Sequence, residues 1–148
     1  MDSPGRFLAI DPGAKRVGVA VSDELRITVK PLPAIERRSW KDFLRRIVAL
    51  VETYNARGLV IGLPLRLDGG EGEAAREARS LAAKFERSLE IPVYLQDERL
   101  TSFEAAANLK SSLSDREIEA VVDSEAAALI LRDFIVGKEK LTTPTLES

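Results

Sequence analysis

The stretch FLAIDPGAKRVGVAVS, residues 7–22, decides the fold of this chain. Residues 6–11 form a short apolar run that is typical of a buried strand. Pro12-Gly13 is a turn signal, and residues 17–21 alternate small and branched side chains, as a second strand does. We therefore expect a β-hairpin in which Asp11 lies where the first strand ends.

A third strand is predicted over residues 27–35, and it contains two prolines, Pro31 and Pro33. Proline has no N–H group to donate to a neighbouring strand. This strand is therefore expected at an edge of the sheet or in irregular pairing.

The rest of the chain alternates between helical and extended patterns. Ser39 is a suitable N-cap for a helix that continues to Tyr54. The apolar run 59–63 predicts a strand, and a helix over 74–89 and a strand over 92–95 are expected after it. Capping boxes at 101–104 and 114–117 predict two further helix starts, and the last helix is predicted to end near Val136.

This order of elements predicts an α/β fold. A hairpin meander followed by right-handed βαβ units gives a mixed five-stranded sheet flanked by helices on both faces. The length of 148 residues suits one domain. We expect that domain over residues 6–137, with a flexible N-terminus at 1–5 and a flexible tail at 138–148.

The composition restricts the possible chemistry, because the chain contains neither cysteine nor histidine. This excludes cysteine nucleophiles, Ser-His-Asp triads and zinc sites built on thiolate or imidazole. A metal ion would need oxygen ligands, which favours Mg²⁺ or Mn²⁺. No apolar run approaches the roughly 18 residues of a membrane span. We therefore expect a cytoplasmic protein without a secretory signal or membrane partner.

The net charge of −2 gives no support to nucleic-acid binding, but the charges are unevenly distributed. Lysine and arginine exceed the acidic residues in the first 66 positions, and acidic residues exceed them afterwards. The asymmetry fits a basic face beside an acidic pocket, and it equally fits ordinary surface variation.

Three acidic residues are candidates for catalysis, namely Asp11, Glu98 and Asp123. Asp11 and Glu98 each follow an apolar strand, where ligands bind in open α/β sheets. Side chains alternate across a strand, so only one of Asp97 and Glu98 is expected to reach Asp11. Asp123 shares a predicted helix face with small and apolar residues, where an unpaired carboxylate is costly.

Each of the three acids also has an ordinary structural interpretation. Asp11 suits a turn-capping position before Pro-Gly. Glu98 fits a solvated loop with a local ion pair, and Asp123 fits a helix N-cap after a break near Val122.

Together, the three acids favour metal-dependent chemistry. Converging carboxylates raise each other's pKa values, and bound divalent cations remove that penalty. Two such ions about 4 Å apart can position a water for attack on a phosphodiester and stabilise the leaving oxygen.

Four segments of the chain resemble the YqgF family, also called RuvX: residues 7–22 (FLAIDPGAKRVGVAVS), 60–72 (VIGLPLRLDGGEG), 96–102 (QDERLTS) and 123–134 (DSEAAALILRDF). The resemblance covers roughly residues 6–136. It implies a ribonuclease H-like fold related to the Holliday-junction resolvase RuvC. It also implies a metal-dependent nuclease that processes the 5′ end of precursor 16S ribosomal RNA.

The resemblance assigns roles to residues of this chain. It implies that Asp11, Glu98 and Asp123 are catalytic and bind Mg²⁺ or Mn²⁺, and that Thr101 and Ser102 contact the nucleic-acid backbone or simply cap a helix. The chain departs from the family where a basic run is usual, at residues 115–119, and where lysine is frequent, at Ser124. Candidates to supply the phosphate contacts instead are Lys15, Arg16, Arg37, Arg38, Arg45, Arg46 and Arg99. A solvated charged face is the alternative for the helix arginines, and it is favoured for Arg45 and Arg46.

Other functions remain open at this point. The first is a resolvase of four-way DNA junctions, which needs a symmetric dimer because two strands are cut; both a monomer and a homodimer are compatible with the sequence. The second is an ATP-dependent phosphotransferase, since Asp11-Pro-Gly followed by Gly18 resembles the first phosphate motif of the actin and sugar-kinase superfamily. The chain is too short for the two domains which that reaction needs. The third is a non-catalytic nucleic-acid-binding module.

Overall fold

The computed structural model describes residues 5–13, 15–98 and 124–142. The helix starts predicted at 101–104 and 114–117 lie outside these ranges. The described elements are β1 (Arg6–Pro12), β2 (Arg16–Ser22), β3 (Val29–Glu36), α1 (Trp40–Tyr54), β4 (Ala56–Leu63), α2 (Glu73–Ser88), β5 (Val93–Asp97) and α3 (Glu125–Thr142).

The five strands form one mixed sheet in the order β3-β2-β1-β4-β5. The strands β1, β2 and β3 pair antiparallel, whereas β4 runs parallel to β1 and β5 runs parallel to β4. The predicted mixed five-stranded sheet is therefore confirmed. The parallel pairing brings the C-terminal ends of β1, β4 and β5 to the same edge of the sheet.

The proline-containing strand β3 lies at one edge of this sheet, as its sequence predicts. Among the described strands it pairs only with β2, and the register shifts between Val17 and Val19. An edge position accommodates Pro31 and Pro33 because the N–H groups that they lack are not needed for hydrogen bonding between central strands.

Alternation along the strands separates two apolar layers. Leu8 and Ile10 of β1 face a cluster that includes residues of α1 and α2. Phe7 and Ala9 face the opposite cluster, which includes residues of α3. Helices therefore cover both faces of the sheet, and α3 is the described helix that packs on the second face.

Helix α1 begins as the sequence predicts. The Ser39 hydroxyl accepts a hydrogen bond from the Asp42 N–H at 3.1 Å. Such a cap supplies an acceptor for one of the backbone N–H groups that have no intrahelical partner in the first turn of a helix.

The last helix, α3, ends later than expected. It continues to Thr142 rather than stopping near Val136, so it enters the segment predicted to be a flexible tail. Lys138, Glu139, Lys140 and Leu141 are all good helix formers, and extending an existing helix is far easier than starting one. Gly137 is therefore not a helix end in this context.

The start of α3 is attached directly to the sheet. The Ser124 hydroxyl is fully buried and accepts a hydrogen bond from the Val19 N–H at 2.9 Å. Ala127, one turn later, is also fully buried in the cluster that contains Ala9 and Ala20. Small residues on both surfaces allow the close approach of helix and sheet that the sequence predicts for this face.

Candidate active site

Asp11 lies near the C-terminal end of β1, at the centre of the sheet. It pairs with Gly18 of β2, and it has the same strand parity as Phe7 and Ala9, so its side chain belongs to the face covered by α3. A strand with a neighbour on both sides has little freedom to move, and Asp11 is therefore held rigidly.

Glu98 directly follows β5, at the same edge of the sheet. Its N–H donates a hydrogen bond to the Leu63 carbonyl at the end of β4, at 3.3 Å. The parallel pairing of β4 with β5 thus fixes the backbone from which this side chain extends.

The Asp11 and Glu98 side chains are joined by a hydrogen bond. Of the two adjacent acids 97 and 98, Glu98 is the one that bonds to Asp11, in line with strand alternation. Two carboxyl groups can form such a bond only if they share a proton, because two carboxylates both lack a donor.

Burial and the neighbouring charges decide where that proton lies. Burial, the Asp11 charge, the shared hydrogen bond and the charge of Asp97 together raise the pKa of Glu98 to about 7. Burial also raises the pKa of Asp11, but the hydrogen bond from Glu98 opposes this rise. Glu98 is therefore the donor and Asp11 the charged acceptor, and the pair carries about one negative charge as long as the pH stays below the raised pKa of Glu98.

Gly62 provides the space that the Glu98 carboxyl group occupies. A Cβ atom at this position would lie 2.7 Å from Glu98 Oε2 and 2.6 Å from Ile130 Cδ1. Gly62 is a site residue that the sequence alone did not predict. The available signal was a glycine inside the otherwise apolar run 59–63, which often marks a close approach.

Two concave spaces meet at Asp11. The larger has a volume of about 480 Å³ and is lined by Asp11, Gly13, Lys15, Arg16 and Gly18. The smaller, of about 40 Å³, lies between Asp11, Glu98, Gly62, Pro64 and three residues of α2, namely Ala74, Glu77 and Ala78. Asp11 therefore borders both a small space that it shares with Glu98 and a wider one that has basic residues in its wall.

The structure brings together four of the eight predicted site residues: Asp11, Glu98, Lys15 and Arg16. The other four, Arg99, Thr101, Ser102 and Asp123, lie outside the described residues. Within residues 5–13, 15–98 and 124–142, no group of three or more His, Cys, Asp or Glu side chains is placed to hold a metal ion. The described part of the acidic site is thus a pair.

The sheet order, the helices on both faces and the acidic pair at the ends of β1 and β5 define a ribonuclease H-like domain. In shape the chain is similar to RuvC from Thermus thermophilus in complex with a Holliday junction substrate, with a TM-score of 0.59. That likeness covers 92% of this chain and 96% of that one at 13% sequence identity, so it concerns the fold.

The chain belongs to the RuvX family. The family model, described as "RuvX: Holliday junction resolvase", matches residues 5–136. A relative from Anaeromyxobacter sp. (strain Fw109-5), named "Putative pre-16S rRNA nuclease", is 40% identical over 90% of this chain and 98% of its own length. A relative of the same name from Syntrophus aciditrophicus is 40% identical over 97% of both chains.

No helix in the described part of the chain combines the length and the apolar character needed to cross a bilayer.

The raised pKa of Glu98 predicts how stability depends on pH in metal-free buffer. The folded protein retains this proton up to about pH 7, whereas the unfolded chain loses it near 4.5. The resulting stabilisation is complete below the unfolded value and is lost as the pH rises to the folded value. We expect Glu98→Gln, which keeps a neutral donor, to unfold at higher urea than wild type at pH 8, by on the order of 1 kcal/mol after allowing for solvent screening.

Urea unfolding in EDTA at pH 4.5 and at pH 8 measures this effect. The exposed Glu90→Gln substitution is a matched control, and it should leave the difference between the two pH values unchanged. A Glu98→Gln variant that is no more stable than wild type at pH 8 would contradict the shared proton.

Proposed function

We propose that this protein is a metal-dependent nuclease that hydrolyses phosphodiester bonds, and that it acts in the 5′-end processing of pre-16S ribosomal RNA. The observation that carries the proposal is the hydrogen-bonded pair of Asp11 and Glu98 beside a cavity with Lys15 and Arg16 in its wall. The family and the names of its relatives support the same function.

The acidic pair suits a divalent cation. When a divalent cation binds two half-buried carboxyl groups that share a proton, its higher charge favours release of that proton to the solvent. Their oxygen atoms match the ligands that Mg²⁺ and Mn²⁺ prefer. The adjoining space of about 40 Å³ exceeds the roughly 10–15 Å³ that one ordered water needs. Asp11 and Glu98 would thus hold the ion.

A bound divalent ion supplies Lewis-acid activation of the phosphodiester and of the attacking water. The chain's own residues do the positioning. Asp11 is fixed by its pairing with Gly18 of β2, and the preceding residue, Ile10, is also paired with β4. Glu98 is fixed by its backbone bond to Leu63. Rigid placement of this kind lowers the barrier because little reorganisation is needed when the substrate arrives.

Asp123 is proposed as the third acid of the set. Its neighbour in sequence, Ser124, is bonded to the N–H of Val19. Val19 adjoins Gly18, the strand partner of Asp11. The chain next to Asp123 is therefore anchored within one residue of the strand pair that contains Asp11, which supports this assignment.

Lys15 and Arg16 are proposed to hold the nucleic-acid backbone, because they line the same cavity as Asp11. A phosphate group in that cavity would lie between cationic side chains and the ion held by the acids. Arg99, Thr101 and Ser102 follow Glu98 directly in sequence, and we propose that they extend this contact along the backbone.

The ribosomal RNA precursor is the substrate we favour, since relatives at 40% identity over most of the chain are named for it. A four-way DNA junction is the second candidate, because the family model is described as a Holliday junction resolvase. The two substrates imply different assemblies. One active site suffices for RNA, so a monomer would work, whereas a junction requires a homodimer. A cytoplasmic location fits both.

We expect Asp11→Asn, Glu98→Gln and Asp123→Asn each to reduce cleavage by at least about a hundredfold without loss of folding, because each removes a charged ligand. The assay offers purified protein a pre-16S RNA fragment and a four-way DNA junction side by side, with Mn²⁺ or Mg²⁺. Cleavage of RNA that needs both metal and Asp11 supports the proposal.

Paired symmetric cuts in the junction alone would replace RNA processing with junction resolution. Light scattering on the same sample should then give the mass of a dimer. Unimpaired cleavage by the three folded variants, or no cleavage of either substrate, would reject the proposed nuclease.

Gly62→Ala tests the placement of the Glu98 carboxyl group. The three heavy atoms nearest to the new Cβ belong to the flexible ends of Glu98 and Ile130, so we expect these side chains to shift rather than the backbone. We expect nearly unchanged stability but a loss of about 10- to 100-fold in metal-dependent cleavage, because small displacements of a ligand are costly.

Gly72→Ala is the matched control, since a Cβ at Gly72 has no heavy atom within 4 Å of it. It should retain wild-type cleavage. Equal activity of the two alanine variants would mean that the position of Glu98 does not limit the reaction.

A further inference from the structure

Arg37 lies in the connection between β3 and α1 and contacts the turn between β1 and β2 at two points. Its backbone N–H donates to the Lys15 carbonyl at 2.8 Å. Its guanidinium Nη1 donates to the Gly13 carbonyl at 3.0 Å. Both carbonyls belong to the turn that follows Asp11, so Arg37 contacts this turn through its backbone and through its side chain.

The same guanidinium also reaches α2. Its Nη2 lies 2.5 Å from Glu77 Oε1, and Glu77 lines the small space beside Asp11 and Glu98. Arg37 therefore links the turn that bears Lys15 and Arg16 to the helix on the other side of the acidic pair. The planar fork of arginine allows both contacts at once, which a lysine ammonium cannot reproduce.

The charge of Arg37 is already matched within the protein. Its side chain is 23% exposed and is paired with Glu77, which is 54% exposed. A phosphate that approached this guanidinium would have to displace a carboxylate and a backbone carbonyl. Direct phosphate contact is therefore a poorer role for Arg37 than fixing the turn.

The turn itself is tight, so its orientation depends on the hydrogen bonds that Arg37 donates to it. The Gly13 N–H donates to the Arg16 carbonyl at 2.9 Å. A Cβ atom at Gly13 would lie 2.6 Å from that carbonyl oxygen. Because the turn closes on itself at Arg16, a rotation at Gly13 moves Lys15 and Arg16 together relative to Asp11.

We propose that Arg37 is a positioning residue, which clamps the β1–β2 turn to α2 and so holds Lys15 and Arg16 at the correct place beside Asp11. The proposal rests on the proposed function, in which these two residues bind the phosphodiester backbone. It predicts that Arg37 acts through them and not by a contact of its own.

The clamp can be tested without any activity, by amide hydrogen exchange in wild type and Arg37→Ala. We expect the Gly13 N–H to exchange at least about tenfold faster in the variant, because the turn loses its outside support. The Asp23 N–H, which donates to the Thr28 carbonyl at 3.1 Å in the turn between β2 and β3, is the internal control and should not change. Unchanged exchange at Gly13 would overturn the clamp.

Cleavage of the pre-16S RNA fragment with Mn²⁺ tests the functional part. We expect Arg37→Ala and the charge-retaining Arg37→Lys both to lower kcat/KM by about tenfold. Arg87→Ala is the control, since Arg87 is exposed in the last turn of α2, more than two turns beyond Glu77, and it should stay within about twofold of wild type. Wild-type rates for Arg37→Lys would mean that charge, not the fork, is what matters, and would overturn the proposal.

A mutant cycle separates action through Lys15 and Arg16 from direct contact. If Arg37 acts through Lys15 and Arg16, Arg37→Ala should cause little further loss in a background in which both Lys15 and Arg16 are replaced by alanine. Fully additive losses would overturn the proposal in favour of an independent phosphate contact. Faster Gly13 exchange in a protein that cleaves neither substrate would instead support the clamp and reject the proposed function.

Discussion

The hydrogen bond between Asp11 and Glu98 is the interaction on which the site depends. Two carboxyl groups in a half-buried position repel each other when both are charged, and here burial and that repulsion raise the pKa of Glu98 to about 7. A neutral residue at either position would relieve this repulsion. Two acids at these positions are explained if a cation takes the place of the shared proton, as the proposed function requires.

The rest of the fold holds these two groups together. Parallel pairing of β1, β4 and β5 brings strand ends from distant parts of the sequence to one edge. Gly62 leaves room for the Glu98 carboxyl group, and the hydrogen bond from Val19 to Ser124 fixes α3 over the same face. Arg37 then ties the basic turn to α2. Each of these features lies outside the acidic pair and limits how far the Asp11 and Glu98 side chains can move.

Much of this arrangement could be predicted from the sequence. Apolar periodicity and turn signals define the five strands and the two central helices, and the prolines of β3 place it at an edge. Strand alternation also indicates that one of two adjacent acids meets Asp11. The later end of α3 was not predicted, because Gly137 reads as a stop in isolation but costs little inside a helix that packing already supports. Gly62 was missed as a site residue because a missing Cβ leaves no periodic signal in the sequence. Arg37 was predicted only as a possible phosphate contact, because its bonds to the β1–β2 turn and to α2 are three-dimensional contacts between distant segments.

Proton release on metal binding tests the central claim most directly. Titration calorimetry with Mn²⁺, in two buffers of different ionisation enthalpy, counts the protons that leave as the ion binds. The shared-proton pair predicts release of close to one proton at about pH 6, falling towards zero by about pH 9, and no such release from Glu98→Gln. Binding of Mn²⁺ without proton release at pH 6, or the same release from wild type and Glu98→Gln, would contradict the account.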